Sequence, residues 1–299
     1  MSTTSVTMTH PSDAAAPAER KPRDDEIDVY GLTHPGKLRA ENQDHFLICS
    51  LHKSIAIHGS SLPDFSPLPA GSDRVAFLAM VADGVGGSAR GEEASRLAVE
   101  MATQYVTGCM RCYYAADPAD AEFMEALQQA AIGAHDEFLR QAEEDPDRRG
   151  MATTLTLWLG AWPRAYLLQV GDSRYYLFRE GELTQLSRDQ TMAQELVDLG
   201  VMSPADAARS RYATTLSSAI GGRQTAPVVT RLTNAWGLVH LLCSDGLTRH
   251  VSDDRIRERI AGMASARQLC EALLQDALDD GGTDNITIIA GRCVPKDRA

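Results

Sequence analysis

Five aspartates stand where an extended segment begins or ends beside small or polar residues: Asp44, Asp83, Asp172, Asp245 and Asp284. The most informative stretch is Met80-Val81-Ala82-Asp83-Gly84-Val85-Gly86-Gly87. An apolar run over residues 75–82 reads as a buried strand, stops at a carboxylate, and gives way through glycines to a helical pattern from Glu92. A strand ending in Asp-Gly holds a carboxylate and a bare backbone carbonyl at one point. That geometry suits a hard metal ion, or a phosphate close to the main chain. One such turn has a plain steric explanation. Five are harder to attribute to sterics, because converging carboxylates raise one another's pKa values unless cations neutralise them. Oxygen-only ligands favour Mg2+ or Mn2+ over Zn2+. Two such ions about 3.5–4 Å apart activate a bridging water and hold a phosphoryl group for in-line attack. Arg39, five residues before Asp44, has the chemistry to grip phosphate oxygens bidentately, although on spacing alone a surface arginine is the better fit.

Two competing motifs carry less. Gly84-Val-Gly86-Gly-Ser-Ala89 fits the G-x-G-x-x-G/A dinucleotide fingerprint between a strand and a helix. However, Asp83 would push a carboxylate towards the pyrophosphate, and no second strand with a terminal acid follows within about 20 residues. Cys109-Met-Arg-Cys112 is a lone CxxC without the second pair that a zinc knuckle needs. His34 and His45 lie near the right motifs and read as structural or surface residues.

The elements that must position these residues follow from composition and periodicity. At 299 residues the chain has ample core, and its net charge of -12 disfavours nonspecific binding to nucleic acid or anionic membrane. No apolar run approaches the roughly 20 residues of a membrane span, and no apolar segment near the N-terminus marks a secretory signal. Six scattered cysteines do not make a disulfide scaffold, so a reduced, cytoplasmic protein is expected.

Residues 1–26 are rich in Ser, Thr, Ala and Pro and lack aromatics, which reads as a disordered tail. Residues 27–296 read as one domain. Strands are expected over 28–32, 44–51, 75–82, 153–161, 165–170, 174–178, 182–186, 238–243 and 285–292, with a hairpin turning at Glu180-Gly181. A surface loop is expected over 52–73, where three prolines and two glycines fall. A helix over 92–106 would bury Ala94, Leu97, Ala98, Met101 and Tyr105. A second, capped at Asp117-Pro118, would bury Phe123, Leu127, Ala130, Ala134 and Phe138. Short helices are expected over 191–199 and 204–210, and two more after Ser252 and from Ala266. The order does not alternate as parallel βαβ units do. The fold class is therefore α+β, a mostly antiparallel sheet system with helices packed outside.

The motif set resembles the PP2C (PPM) family of metal-dependent protein serine/threonine phosphatases, in its bacterial form. The matching pieces are Arg39-x-x-Asn42-Gln43-Asp44, Val81-Ala-Asp83-Gly84-Val-Gly-Gly87, Gly150-Met-Ala-Thr-Thr154, Val170-Gly-Asp-Ser-Arg174, Cys243-Ser-Asp245-Gly246 and Thr283-Asp284-Asn285. They run in the family's order over nearly the whole chain. The resemblance implies a four-layer α-β-β-α sandwich of two antiparallel sheets. It implies two Mg2+ or Mn2+ ions, bridged by Asp83, with the Gly84 carbonyl on one and Asp245 and Asp284 on the other. Asp44 acts through metal-bound water, Arg39 binds the substrate phosphate, and Asp172 with Asp245 matches a third-metal position. The implied partners are phosphorylated proteins and a Ser/Thr kinase that the enzyme opposes, with a monomer expected and neither nucleic acid nor membrane involved. Val85 stands where many eukaryotic members carry a histidine, so the leaving oxygen needs another proton donor. Residues 191–222 match the family's variable flap. Two other readings keep the fold: a non-catalytic phosphoprotein-binding module, which the complete set of aspartates argues against, and a phosphatase of anti-anti-sigma proteins.

Overall fold

The computed structural model describes residues 20–53, 73–85, 89–113 and 120–296. Their strands are β1 (Ile27–His34), β2 (Asp44–Lys53), β3 (Asp73–Val85), β4 (Ala152–Thr153), β5 (Leu155–Ala161), β6 (Arg164–Val170), β7 (Arg174–Arg179), β8 (Glu182–Gln185), β9 (Val228–Thr233), β10 (Val239–Cys243) and β11 (Ile286–Cys293). Their α-helices are α1 (Ala89–Tyr113), α2 (Asp120–Glu144), α3 (Met192–Asp198), α4 (Pro204–Ala207), α5 (Asp245–Thr248), α6 (Asp253–Ala261) and α7 (Ala266–Asp279). One sheet runs β1-β11-β10-β7-β8. The other runs β2-β3-β5-β6-β9, with β4 on the end of β3. Every ladder is antiparallel.

Alternation along the strands builds four layers. On β3, Leu78, Met80 and Ala82 face α1 and α2, while Ala79 and Val81 face the other sheet. Because both faces are covered, the strand reads as a continuous apolar run. The layer between the sheets joins Ala79, Val81, Trp158 and Leu167 to Tyr175, Leu242 and Ile289. Phe123, Leu127, Ala134 and Phe138 of α2 pack outside the second sheet. Ile256, Ile260, Leu269 and Leu273 of α6 and α7 pack outside the first. Glu180 and Gly181, at φ 53° and 91°, make the expected hairpin turn.

The details depart from the sequence reading in identifiable ways. The buried stripe of α1 runs through Ala94, Ala98, Ala102 and Val106, whereas Tyr105 points outward. Leu97 and Met101 pack, partly buried, against the same core, so the expected face holds except at its Tyr105 edge. Strand β9 has no counterpart in the sequence reading; it is an edge strand with Val228, Arg231 and Thr233 exposed, and it lacks a long apolar run. The strand expected over 153–161 is interrupted at Thr154, whose N–H donates to the Asp83 carbonyl at 2.9 Å. Residues 20–26 pack on the domain: Glu26 is buried and bonded to Arg20 and the Arg23 N–H, and Arg74 reaches Asp24 at 2.7 Å. Paired charges hold this segment where its composition shows little apolar content. The 1–19 part of the tail, the 54–72 part of the loop, Gly86, Gly87 and the Asp117-Pro118 cap lie outside the described residues, as do the side chains of Cys109 and Cys112.

Leu157, fully buried between its sheet and the helices, is expected to cost about 2–5 kcal/mol when replaced by alanine. Urea unfolding of Leu157→Ala should show a lower midpoint with an unchanged slope.

Candidate metal centre

The register of β2 and β3 sets Asp44 directly opposite Asp83. Strand β3 continues past Asp83 by pairing Gly84 and Val85 with β4, so the carboxylate is held inside a ladder rather than at a free end. Its backbone carbonyl accepts from the Thr153 hydroxyl and the Thr154 N–H, both at 2.9 Å. Gly84 is required sterically, since a Cβ there would overlap the carbonyl of Gly91. Asp44 is buried, and its Oδ2 accepts from the Ser244 and Thr287 hydroxyls, each at 2.7 Å. Its Oδ1 is buried with no hydrogen-bond partner among the described residues. An ionised oxygen left bare at that depth is unfavourable unless a cation meets it.

Asp245 opens the single turn of α5 directly after β10, and Asp284 lies just before β11. The two segments touch because residue 246 is glycine: a Cβ would overlap the carbonyl of Asn285. Asn285 ties the 35–43 segment to the same spot. Its Nδ2 donates to the carbonyls of Pro35 (3.0 Å) and Glu41 (2.9 Å), and its Oδ1 accepts from the Gln43 N–H at 2.9 Å. Arg39 rises from that segment and grips Asp284 with two nitrogens, each at 2.9 Å. Arg249 spans Asp284, at 2.5 Å, and Asp245. Among the described residues no three acidic, histidine or cysteine side chains form a closed ligand set in this conformation; guanidinium groups hold two of the carboxylates instead.

The electrostatics follow from burying like charges together. Burial first, then Asp245 and Asp284, push Asp44 up to about 7 against the two hydroxyl bonds that lower it. Asp83 is raised well above the ordinary range by burial and by Asp44, Asp245, Asp172 and Asp284. Burial, then Asp245 and Asp189, push Asp172 to about 8, opposed by Arg249. Asp245 reaches about 6 through burial, with Arg249 pulling the other way. A cluster that resists ionising alone, with one bare buried oxygen and oxygen donors only, fits hard divalent cations.

These residues open into one cleft of about 1050 Å³. Arg39, Asp83, Gly84, Asp172, Asp245 and Asp284 all line it, so six of the seven expected site residues share one surface and Asp44 sits just beneath. Its other wall is the 191–222 excursion, through Met192, Arg211, Tyr212 and Ser217. His34 and His45 are elsewhere engaged: His34 accepts from the Gly36 N–H, and His45 bonds Ser95 at 2.9 Å. Ser244, Thr287, Arg249 and the clamp role of Asn285 were not foreseen. Asn285 was visible as the third residue of Thr283-Asp284-Asn285, but nothing local shows what it binds.

A family model described as Protein phosphatase 2C matches residues 69–280, and the chain belongs to that family. Serine/threonine protein phosphatase PstP of Mycobacterium tuberculosis is 35% identical over 222 residues, covering 74% of this chain and 41% of that protein. The chain thus spans less than half the length of that relative. Serine/threonine phosphatase stp of Listeria innocua is 30% identical over 217 residues, covering 71% of this chain and 82% of that protein. The crystal structure of M. tuberculosis PstP/Ppp superposes with a TM-score of 0.71 at 30% identity, over 90% of this chain and 99% of that one. A second structure, the PstP catalytic domain in complex with two manganese ions, gives a TM-score of 0.66 at 30% identity, over 90% and 99%.

Without metal, Asp44, Asp172 and Asp245 keep protons in the folded chain that they release on unfolding. Stability in EDTA should therefore fall as pH rises from about 4 to about 8, because the native state binds more protons than the unfolded one. Urea midpoints across that range check the slope. Asp172→Asn should flatten its upper part, and saturating Mn2+ should reverse it.

Proposed function

We propose that the chain is a metal-dependent protein phosphatase that hydrolyses phosphoserine and phosphothreonine on proteins at a binuclear Mg2+ or Mn2+ centre. The observation that carries this reading is the bare, buried Oδ1 of Asp44 beneath a cleft lined by Asp83, Asp245 and Asp284. Family membership and the two manganese ions in the PstP catalytic domain support it. When bound, two such ions supply Lewis acidity, polarising phosphoryl oxygens and making water nucleophilic at neutral pH.

The chain's own residues divide the remaining work. Asp83 would serve both ions, the Gly84 carbonyl would help to hold one, and Asp245 with Asp284 would hold the other. Asp44, locked by Ser244 and Thr287, orients water through its free oxygen. Arg39 is half exposed at the cleft rim, and a phosphate dianion competes for the two nitrogens that now bind Asp284. Phosphoryl transfer asks little covalent chemistry of the protein, so positioning and charge supply most of the acceleration. Val85, exposed beside Gly84, has no proton to give the leaving oxygen. The substrates are phosphorylated proteins, including a Ser/Thr kinase or its targets, met by a monomer in the cytoplasm. Among the described residues no helix is long and apolar enough to cross a membrane.

Hydrolysis of a phosphothreonine peptide should require Mn2+ or Mg2+ and stop in EDTA. Asp245→Ala should lower kcat by at least about a hundredfold. Arg39→Ala loses a charge-assisted contact of about 1.5–3 kcal/mol, a fall of about ten- to hundredfold in kcat/KM. Full activity in EDTA would sink the proposal.

A further inference from the structure

Four arginines line the cleft, and they are of two kinds. Arg39 and Arg249 hold aspartates of the centre. Arg211, on the 191–222 excursion, and Arg223, just beyond its end, are exposed and meet no carboxylate among the described residues. Both are rooted close to the centre. Thr153 of β4 pairs with Gly84 on one side and with Ile220 on the other. Two strand spacings therefore put Ile220 about 10 Å from Gly84. Arg223 follows in a turn closed by Gly222 N–H to the Ala219 carbonyl (3.2 Å) and Ala219 N–H to the Gln224 carbonyl (3.0 Å). On the other side, Gln190 N–H donates to the carbonyl of Gly171, next to Asp172, at 3.1 Å. Three residues on, Ala193 N–H donates to the Tyr212 carbonyl at 3.2 Å. The Arg211 guanidinium lies over the Tyr212 ring, 4.8 Å from its centroid, and donates to the Tyr212 hydroxyl at 2.7 Å. That contact orders the planar fork and leaves other donors open.

We infer that Arg211 and Arg223 form a subsite for carboxylate side chains flanking the phosphorylated residue, so that the favoured targets are phosphosites set in acidic stretches of chain. The charges agree. Arginines and aspartates lining the cleft are equal in number. Two divalent ions outweigh the one further carboxylate, Asp44 beneath, so the loaded cleft is positive in a chain of net charge -12. A phosphate dianion leaves part of that charge unmet, and a cleft focuses it. The reach agrees as well, since about 10 Å spans roughly three residues of an extended peptide. Guanidinium forks match carboxylates bidentately. Exposed pairs contribute little each, so this subsite tunes the choice among phosphoproteins rather than the rate of turnover.

This inference rests on the phosphatase reading above, and the choice of peptide separates the two. The full-length chain, loaded with Mn2+, is given phosphothreonine peptides with Asp, Asn or Lys at the second to fourth positions on both sides of the phosphothreonine. Wild-type kcat/KM should fall from Asp to Asn to Lys by about threefold or more at each step, mainly through KM. High salt should narrow the series. Arg211→Glu combined with Arg223→Glu should invert the order and favour the Lys peptide, a reversal that a damaged fold would not produce. Arg211→Gln with Arg223→Gln, which should level the series, serves if the charge reversal does not fold. Equal or rising values across the three peptides for the wild-type chain overturn the inference, as does a preference that every folded variant keeps. No hydrolysis of any peptide by the wild-type chain would instead remove the phosphatase reading, and the inference with it.

Discussion

The structure depends on keeping several carboxylates close together where water is scarce. Each would rather be neutral there, as the upward shifts of Asp44, Asp83, Asp172 and Asp245 show, and burial leads in every case. The surrounding chain resists their separation with short, local devices. A strand register opposes Asp44 to Asp83, two hydroxyls fix one Asp44 oxygen, and Asn285 pins the arginine-bearing segment. These devices are stable because the sandwich behind them is close-packed and covered on both outer faces. The apolar layers thus carry the energetic load, and the polar end uses it to hold an arrangement that would otherwise fly apart.

Much of this was legible in the sequence, for a definable reason. Asp83, Asp245 and Asp284 each lie within a few residues of a long apolar run and a glycine, so strand, turn and carboxylate appear together in one window. The strand and helix patterns give a mostly antiparallel sheet system with helices outside, whereas the four-layer sandwich comes only with the family resemblance. What escaped were relations between distant segments. Ser244 and Thr287 look like ordinary small polar residues, and only the pairing of β10 with β11 brings both to Asp44 across some two hundred residues. Helix α5 is a single turn, too short for periodicity to register. The Arg249 pair with Asp245 obeys a simple four-residue rule, but no rule read from sequence says that the aspartate is buried.

Arginine takes two unlike parts in this cleft. Arg39 is tethered through a loop, half exposed, and bound to Asp284 by contacts that a phosphate could replace. Arg249 extends from the end of a helical turn and is shared between two carboxylates. The same side chain is thus paired with one carboxylate in one case and shared between two in the other.

Asp44 belongs to one sheet, whereas Ser244 and Thr287 belong to the end of the other. Elsewhere the two sheets meet mainly through side chains such as Val81, Trp158, Leu242 and Ile289, which tolerate small slips because dispersion has no direction. Hydrogen bonds tolerate far less. The active end of the sandwich thus works as a gauge of inter-sheet spacing: a slip along the apolar layer that costs little in dispersion would already misalign the one carboxylate oxygen left open for chemistry.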